Sequence, residues 1–242
     1  MSIPQYAIDR LAPSIQPLVF ETGSEEAPYS STRGTVFLVG YEHRSYVLTA
    51  RHALQPNNLM PICVFPSDTS DKLVPLGKVF YVPPSHDGYD FEDFAVIDID
   101  TRRITHPDVA SAKLINLGLS CGKWEEYAHE AQFFILGYPE ERSFLNYEPL
   151  EFQAGRVLLL GRYRGRSTLQ CCHILSVVDT LRLTTFSGLS GAPVFAWIEL
   201  PMQRPTLVFC GMVLLGSPQS GQIQFLDRDV LLEAILVKRR LE

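Results

Sequence analysis

The sequence predicts an all-β fold, an antiparallel barrel or sandwich, with one helix at its C-terminal end. Three observations predict it. Short β-branched and aromatic runs recur along the 242 residues, and 17 prolines and 16 glycines punctuate them, which leaves little room for a bundle of long helices. The spacing of those runs suits antiparallel connection better than βαβ units. Only the stretch after Asp227 carries a helical apolar stripe.

Taken in order, Thr35–Val39 and Ser45–Thr49 read as a hairpin joined by a polar turn through Gly40 and His43. Further strands are expected at Ile62–Phe65, Lys78–Val82, Phe94–Ile99, Gln132–Gly137, Arg156–Leu160, Ile174–Val178, Pro193–Ile198 and Thr206–Leu214. For the helix, Asp227 or Asp229 supplies a cap, and Val230, Leu231, Ala234, Ile235 and Val237 supply one apolar face. Lys238, Arg239 and Arg240 then favour the negative end of the dipole. The polar stretch Gly118–Glu130 reads as a linker, which divides the chain into residues 1–125 and 126–242.

Composition narrows the function classes. With 46% hydrophobic and 20% charged residues the chain is globular rather than disordered. No apolar stretch approaches the roughly 20 residues that span a bilayer. A formal net charge of −6 predicts no nucleic-acid partner and no anionic membrane surface. The opening residues Met1–Arg10 lack a basic segment leading into an apolar one, so a cytoplasmic location is expected. Cys63, Cys121, Cys171, Cys172 and Cys210 form an odd set without a CxxC pair, which predicts five free thiols, no structural zinc and no cofactor. Arg156, Arg162, Arg164 and Arg166 gather around Gly161 and Gly165; a solvated hairpin accounts for them, and docking of an acidic partner is the alternative.

Three local contexts carry chemistry. Tyr46-Val47-Leu48-Thr49-Ala50-Arg51-His52 puts His52 just past a strand. Glu92-Asp93-Phe94-Ala95-Val96 puts Asp93 at the entrance to one. Phe186-Ser187-Gly188-Leu189-Ser190-Gly191-Ala192-Pro193 puts Ser190 between glycines directly before another. A serine hydroxyl needs an imidazole to take its proton, and the imidazole needs a carboxylate on its other nitrogen to fix the tautomer. Glycines beside the serine let backbone amides converge on a developing oxyanion, where one donor contributes roughly 3–4 kcal/mol. An α/β-hydrolase elbow would need its histidine after the serine, and all six histidines precede Ser190.

In these contexts and in this chain order the sequence resembles the chymotrypsin-fold (trypsin-like) serine peptidases. Gly34-Thr35-Val36-Phe37-Leu38 is similar to the strand before the histidine hairpin. Ile135-Leu136-Gly137-Tyr138-Pro139 and Val178-Asp179-Thr180 resemble the bacterial HtrA-like branch, and Gly211–Gly216 the substrate-pairing strand. The resemblance implies two antiparallel six-stranded β-barrels with a C-terminal α-helix, and a serine endopeptidase acting on protein or peptide substrates. It implies catalytic His52, Asp93 and Ser190, and an oxyanion hole from the amides of Gly188 and Ser190. The chain departs from the family at Arg51, where a small residue is usual, at Ala192, where a second glycine is usual, and at Leu189, where the secreted branch has aspartate. Leu189 excludes activation by a newly cut N-terminus, so an activating partner or assembly is expected. Thr184 falls at the floor of the primary pocket, Gly216 and Gly221 at its walls, and Leu214 and Leu215 on the pairing strand. A floor without charge predicts a neutral, apolar or aromatic residue before the scissile bond. The alternative function is a catalytically silent fold that binds a peptide along Leu214–Gly216.

Overall fold

The computed structural model describes residues 3–30, 34–54, 60–65, 73–81, 93–99, 114–117, 123–148, 150–178 and 183–241. After helix α1 (Gln5–Leu11), the first half forms two sheets. In the larger, β1 (Ile15–Pro17), β4 (Thr35–Tyr41), β5 (Arg44–Ala50), β9 (Phe94–Asp98) and β8 (Val79–Tyr81) lie side by side, and β10 (Ile115–Asn116) adds in parallel to β4. The smaller orders β3 (Tyr29–Ser30), β2 (Val19–Glu21), β6 (Ile62–Val64) and β7 (Val74–Pro75). Only Leu18 separates β1 from β2, and it is fully buried. The chain therefore passes from one sheet to the other at that residue and ties both to one core.

The β4–β5 hairpin turns on Glu42 and His43, whose φ angles are 43° and 66°. A two-residue turn of that hand follows the right-handed twist of the strands it joins. Gly40, expected in the turn, pairs with Ser45 inside the ladder instead.

In the second half, β11 (Gln132–Gly137), β14 (Val157–Arg166), β15 (Cys172–Val177), β18 (Gln222–Asp227), β17 (Thr206–Ser217) and β16 (Pro193–Ile198) close into a six-stranded barrel. The hairpin of β12 (Ser143–Tyr147) and β13 (Leu150–Ala154) lies between β11 and β14 in sequence. Successive residues of a strand face opposite ways. On β11, Phe133 and Ile135 enter the barrel core with Leu175 and Phe225. Phe134 and Leu136 join the other core, shared with Phe37, Leu48 and Val96 of the first half. Across that junction the Phe37 and Phe209 rings sit 5.6 Å apart.

Trp124 corrects the expected linker. It lies on a 3₁₀ turn (Trp124–Tyr127), is wholly buried, and packs on Phe133, Tyr163, His173 and Phe225. The polar residues around it had hidden an apolar plug; residues 118–122 fall outside the described ones.

Helix α2 (Arg228–Arg240) closes the fold as expected, with Asp227 Oδ1 accepting from the Asp229 amide at 2.7 Å. Its apolar face enters the shared core. Lys238, buried near its end, reaches Asp98 Oδ2 on β9 at 2.6 Å, so the helix fastens the two halves together. Among the described cysteines, Cys63, Cys171, Cys172 and Cys210 are free thiols, and burial pushes Cys63 up to about 12 and Cys172 to about 11. Cys121 lies outside the described residues.

Asp227 does two jobs, since its Oδ2 also meets His173 Nε2 at 3.1 Å in a buried pair. Replacing Asp227 by alanine should cost about 2–4 kcal/mol in urea unfolding, through a lost cap and a stranded imidazole; Asp227→Asn should cost roughly half as much.

Candidate active site

His52 and Asp93 meet because two strands run in register. β5 and β9 are antiparallel with Ala50 opposite Phe94, so the residues just past one end and just before the other become neighbours. The main chain locks them: the Arg51 amide donates to the Asp93 carbonyl and the His52 amide to Asp93 Oδ1, both at 3.1 Å. His52 Nδ1 then lies 2.9 and 2.8 Å from the two carboxylate oxygens. An ionised carboxylate only accepts, so Nδ1 carries the proton and the Nε2 lone pair is left to act as a base. Arg51 does not crowd the histidine; its guanidinium lies over the Tyr81 ring, 4.8 Å from the centroid.

The Ser190 backbone approaches the turn that carries His52 from the barrel side. A methyl group at Gly34 would lie 2.7 Å from Ala53 Cβ, beside His52, and 3.3 Å from the Ser190 carbonyl oxygen. One residue's width thus separates the two loops. The Ser190 hydroxyl donates to the Leu214 carbonyl at 3.0 Å rather than to His52. Gly188 and Gly191 have φ of 89° and 88°, in the left-handed region that favours glycine. A Cβ at Gly188 would sit 2.5 Å from the Tyr138 carbonyl oxygen and the Glu140 amide; one at Gly191 would strike the Thr35 carbonyl.

In a planar trans peptide the carbonyl and the following N–H point opposite ways. The Ser187 carbonyl accepts from the Glu140 amide at 2.8 Å and the Leu189 carbonyl from Ala192 at 2.9 Å. The N–H groups of Gly188 and Ser190 are therefore turned the other way, and among the described residues neither donates to a protein group. Two adjacent free donors on a glycine-bent loop are the components of an oxyanion hole. Leu189 is buried in the barrel core, and Ala192 packs where Gly137 leaves space, a Cβ there lying 2.9 Å from both side chains.

The remaining expected residues are more scattered. Leu214 is buried and Leu215 exposed beyond a bulge between Val213 and Leu215 on β17. A Cβ at Gly216 would lie 2.9 Å from Phe186 Cδ2, so the space beside this glycine is taken by a buried side chain of the protein itself. Gly221 sits in the β17–β18 turn at φ 62° with open space around it, its carbonyl accepting from the Val177 amide. Thr184 donates through its hydroxyl and its amide to Glu141 Oε2, which also accepts from Thr185. Sequence reasoning passed over Glu141, although Glu140-Glu141 directly after Tyr138-Pro139 marked a loop beside the resemblance segment. It also passed over Phe186 and the side chain of Thr35.

A second His–Asp pair, His173 with Asp227, is no competitor. Both imidazole nitrogens are engaged, Nε2 by Asp227 and Nδ1 by Tyr163 at 3.0 Å, inside the barrel wall. Arg162 and Arg166 do not share a face of β14: Arg162 pairs with Ser176, whereas Arg166 pairs with the inward-facing His173. Asp90 and Glu92, the carboxylates flanking Asp93 in sequence, lie outside the described residues. Among the described residues no group of histidine, cysteine, aspartate and glutamate is placed to hold a metal ion, and no helix is long and apolar enough to cross a membrane.

Six closed strands, a second β lobe packed on them, a C-terminal helix and a polar cluster at the junction define a chymotrypsin-like fold. Solved structures agree. The chain is similar to a Glu endopeptidase (18% identity, TM-score 0.57, covering 96% of this chain and 93% of that one). It is similar also to the scabies mite inactivated protease paralogue S-D1 (11%, 0.53, 95% and 92%) and to the tobacco vein mottling virus protease (11%, 0.50, 91% and 79%). No family model matches the sequence, and no curated protein matches it.

Thr184 and Thr185 hold the Glu141 carboxyl below its usual value of 4.5, chiefly through the Thr184 hydroxyl. A depressed folded value means the tether is fully present above the unfolded pKa and is lost as the pH falls through the folded one. Hydrogen exchange at the Thr184 and Thr185 amides should therefore be slower in wild type than in Glu141→Gln at about pH 6, and the difference should persist down to 4.5 and be lost only as the pH falls further, through the depressed folded value.

Proposed function

We propose that the protein is a serine endopeptidase. Ser190 attacks the scissile carbonyl, His52 Nε2 takes its proton and returns it to the leaving amine, and Asp93 holds the imidazole. The amides of Gly188 and Ser190 receive the oxyanion. The observation that carries this reading is the pair of free N–H groups at Gly188 and Ser190, on a loop one residue's width from the turn that carries a carboxylate-anchored histidine. Attack requires the Ser190 hydroxyl to leave the Leu214 carbonyl for His52.

The same observation favours a second reading. With its hydroxyl on Leu214, Ser190 is parked, as it would be in a silent fold that binds peptides along Leu214–Gly216, or in an enzyme awaiting an activating partner. A fluorophosphonate probe separates these readings. Wild type should label, while Ser190→Ala should not and His52→Ala should label at least about a thousandfold more slowly, with folding intact by circular dichroism. Labelling that appears only on addition of cell extract would identify a partner-dependent enzyme, and none under any condition would leave the binding module.

Thr184 brings no charge to the pocket, and three donors already engage Oε2 of Glu141, so the reading includes a neutral residue before the scissile bond. Phe186 beside Gly216 keeps that subsite shallow. A peptide-library profile should return neutral residues; a majority of Arg or Lys would overturn the pocket. The reading places the enzyme in the cytoplasm, which the free thiols of Cys63, Cys171, Cys172 and Cys210 support. Within the family it leans to the HtrA-like branch on Ile135–Pro139; Asp179 and Thr180 lie outside the described residues.

A further inference from the structure

We propose that Thr35, a buried residue of the first lobe, is the positioning residue that sets the oxyanion hole; the inference rests on the hydrolytic reading above. Between Ser187 and Gly191 four peptide planes follow one another. The first and third, 187–188 and 189–190, carry the two free N–H groups, and their carbonyls are held by Glu140 and Ala192. The second and fourth, 188–189 and 190–191, are both gripped by Thr35. Its hydroxyl donates to the Gly188 carbonyl at 2.8 Å, and its amide donates to the Ser190 carbonyl at 2.9 Å. A single residue thus holds the carbonyl ends of the planes on either side of the Ser190 N–H, while their N–H ends donate to the Phe186 and Val213 carbonyls, and Gly188 and Gly191 keep their positive φ angles between them.

The grip is itself braced. The Thr35 hydroxyl accepts from the Tyr138 amide at 2.9 Å, and its carbonyl accepts from the Thr49 hydroxyl at 2.9 Å, three residues before His52. Thr35, Thr49, Tyr138 and Gly188 are buried, so no water replaces a partner lost at the Thr35 hydroxyl. The Thr35 hydroxyl therefore couples the loop at Tyr138 to the loop that presents Ser190, and the Thr35 carbonyl ties both to the strand that leads to His52. A shift of about 1 Å in a preorganised donor is enough to cost roughly 100-fold in rate.

The test compares Thr35→Val, which keeps the shape and removes the donor, with Thr35→Ser, which keeps the donor. Exhaustive fluorophosphonate labelling counts competent sites, and p-nitrophenyl acetate gives kcat and KM per site. For Thr35→Val, kcat per site and the labelling rate should fall about 100-fold while KM moves less than about threefold; Thr35→Ser should recover both to within about threefold of wild type. A merely structural role would lower the number of competent sites and the melting temperature but leave each site at the wild-type rate, and that result overturns the proposal. If the valine variant does not fold, Thr35→Cys fills the space with a poor donor: slow labelling supports the proposal and wild-type labelling overturns it. A wild type that never labels removes the hydrolytic reading and the Thr35 role together, whereas a labelling wild type beside an equally fast Thr35→Val removes the Thr35 role alone.

Discussion

The barrel of the second half has two apolar faces, and this constrains everything else. Alternation along β11 sends Phe133 and Ile135 inward and Phe134 and Leu136 outward, and the outward set is as fully buried as the inward one. Each buried phenylalanine or leucine is worth roughly 1.5–3 kcal/mol relative to exposure, so an uncovered barrel would not persist in water. The first half and α2 supply the cover through Phe37, Leu48, Val96, Leu231 and Ile235. The ends of β5 and β9 are thereby laid against the loop before β16. His52 and Asp93 come from one half and Ser190 from the other, so how near they lie is set by that apolar contact.

At the junction the packing changes character. Away from the cluster it is aromatic and aliphatic, with Phe195 stacked on Phe134 and tilted against Phe209. Near the cluster it becomes main-chain hydrogen bonding through positions where side chains are absent: Gly34, Gly137, Gly188 and Gly191 all sit where a Cβ would press on a neighbour. The loops come close enough for backbone to hold backbone, which fixes amide directions more tightly than side-chain contacts could. An active site that depends on two N–H vectors benefits from that substitution of polar for apolar contact.

Much of this was legible in the sequence. Gln132–Gly137 and Pro193–Ile198 match their strands to the residue, because each is an unbroken apolar run between polar breaks. β14 runs on to Arg166, past the expected end at Leu160, because pairing with β15 holds residues whose composition says surface. β1, β2, β3, β7 and β10 are two or three residues long, and tertiary pairing alone makes them strands. The triad contexts could be read because each is a local pattern of residue types. The roles of Thr35 and Glu141 could not be read: a threonine opening a strand is ordinary, and its decisive partner, Gly188, lies 153 residues away. Phe186 was hidden for a related reason, since a glycine at 216 says that room exists but not what fills it.

The Lys238–Asp98 contact bears on the order of events during synthesis. Chains emerge from the ribosome N-terminus first, and early segments start folding before late ones exist. Here the sheet that carries His52 and Asp93 borrows its covering helix and a buried cation from residues 228–240. A nascent chain of 200 residues already contains His52, Asp93 and Ser190 but lacks α2 and the two strands, β17 and β18, that complete the barrel. Ser190 is presented in that barrel with its hydroxyl on the Leu214 carbonyl of β17, so its setting is incomplete until residues beyond 200 have been made. The direction of translation thus makes the joining of His52, Asp93 and Ser190 one of the last events of folding.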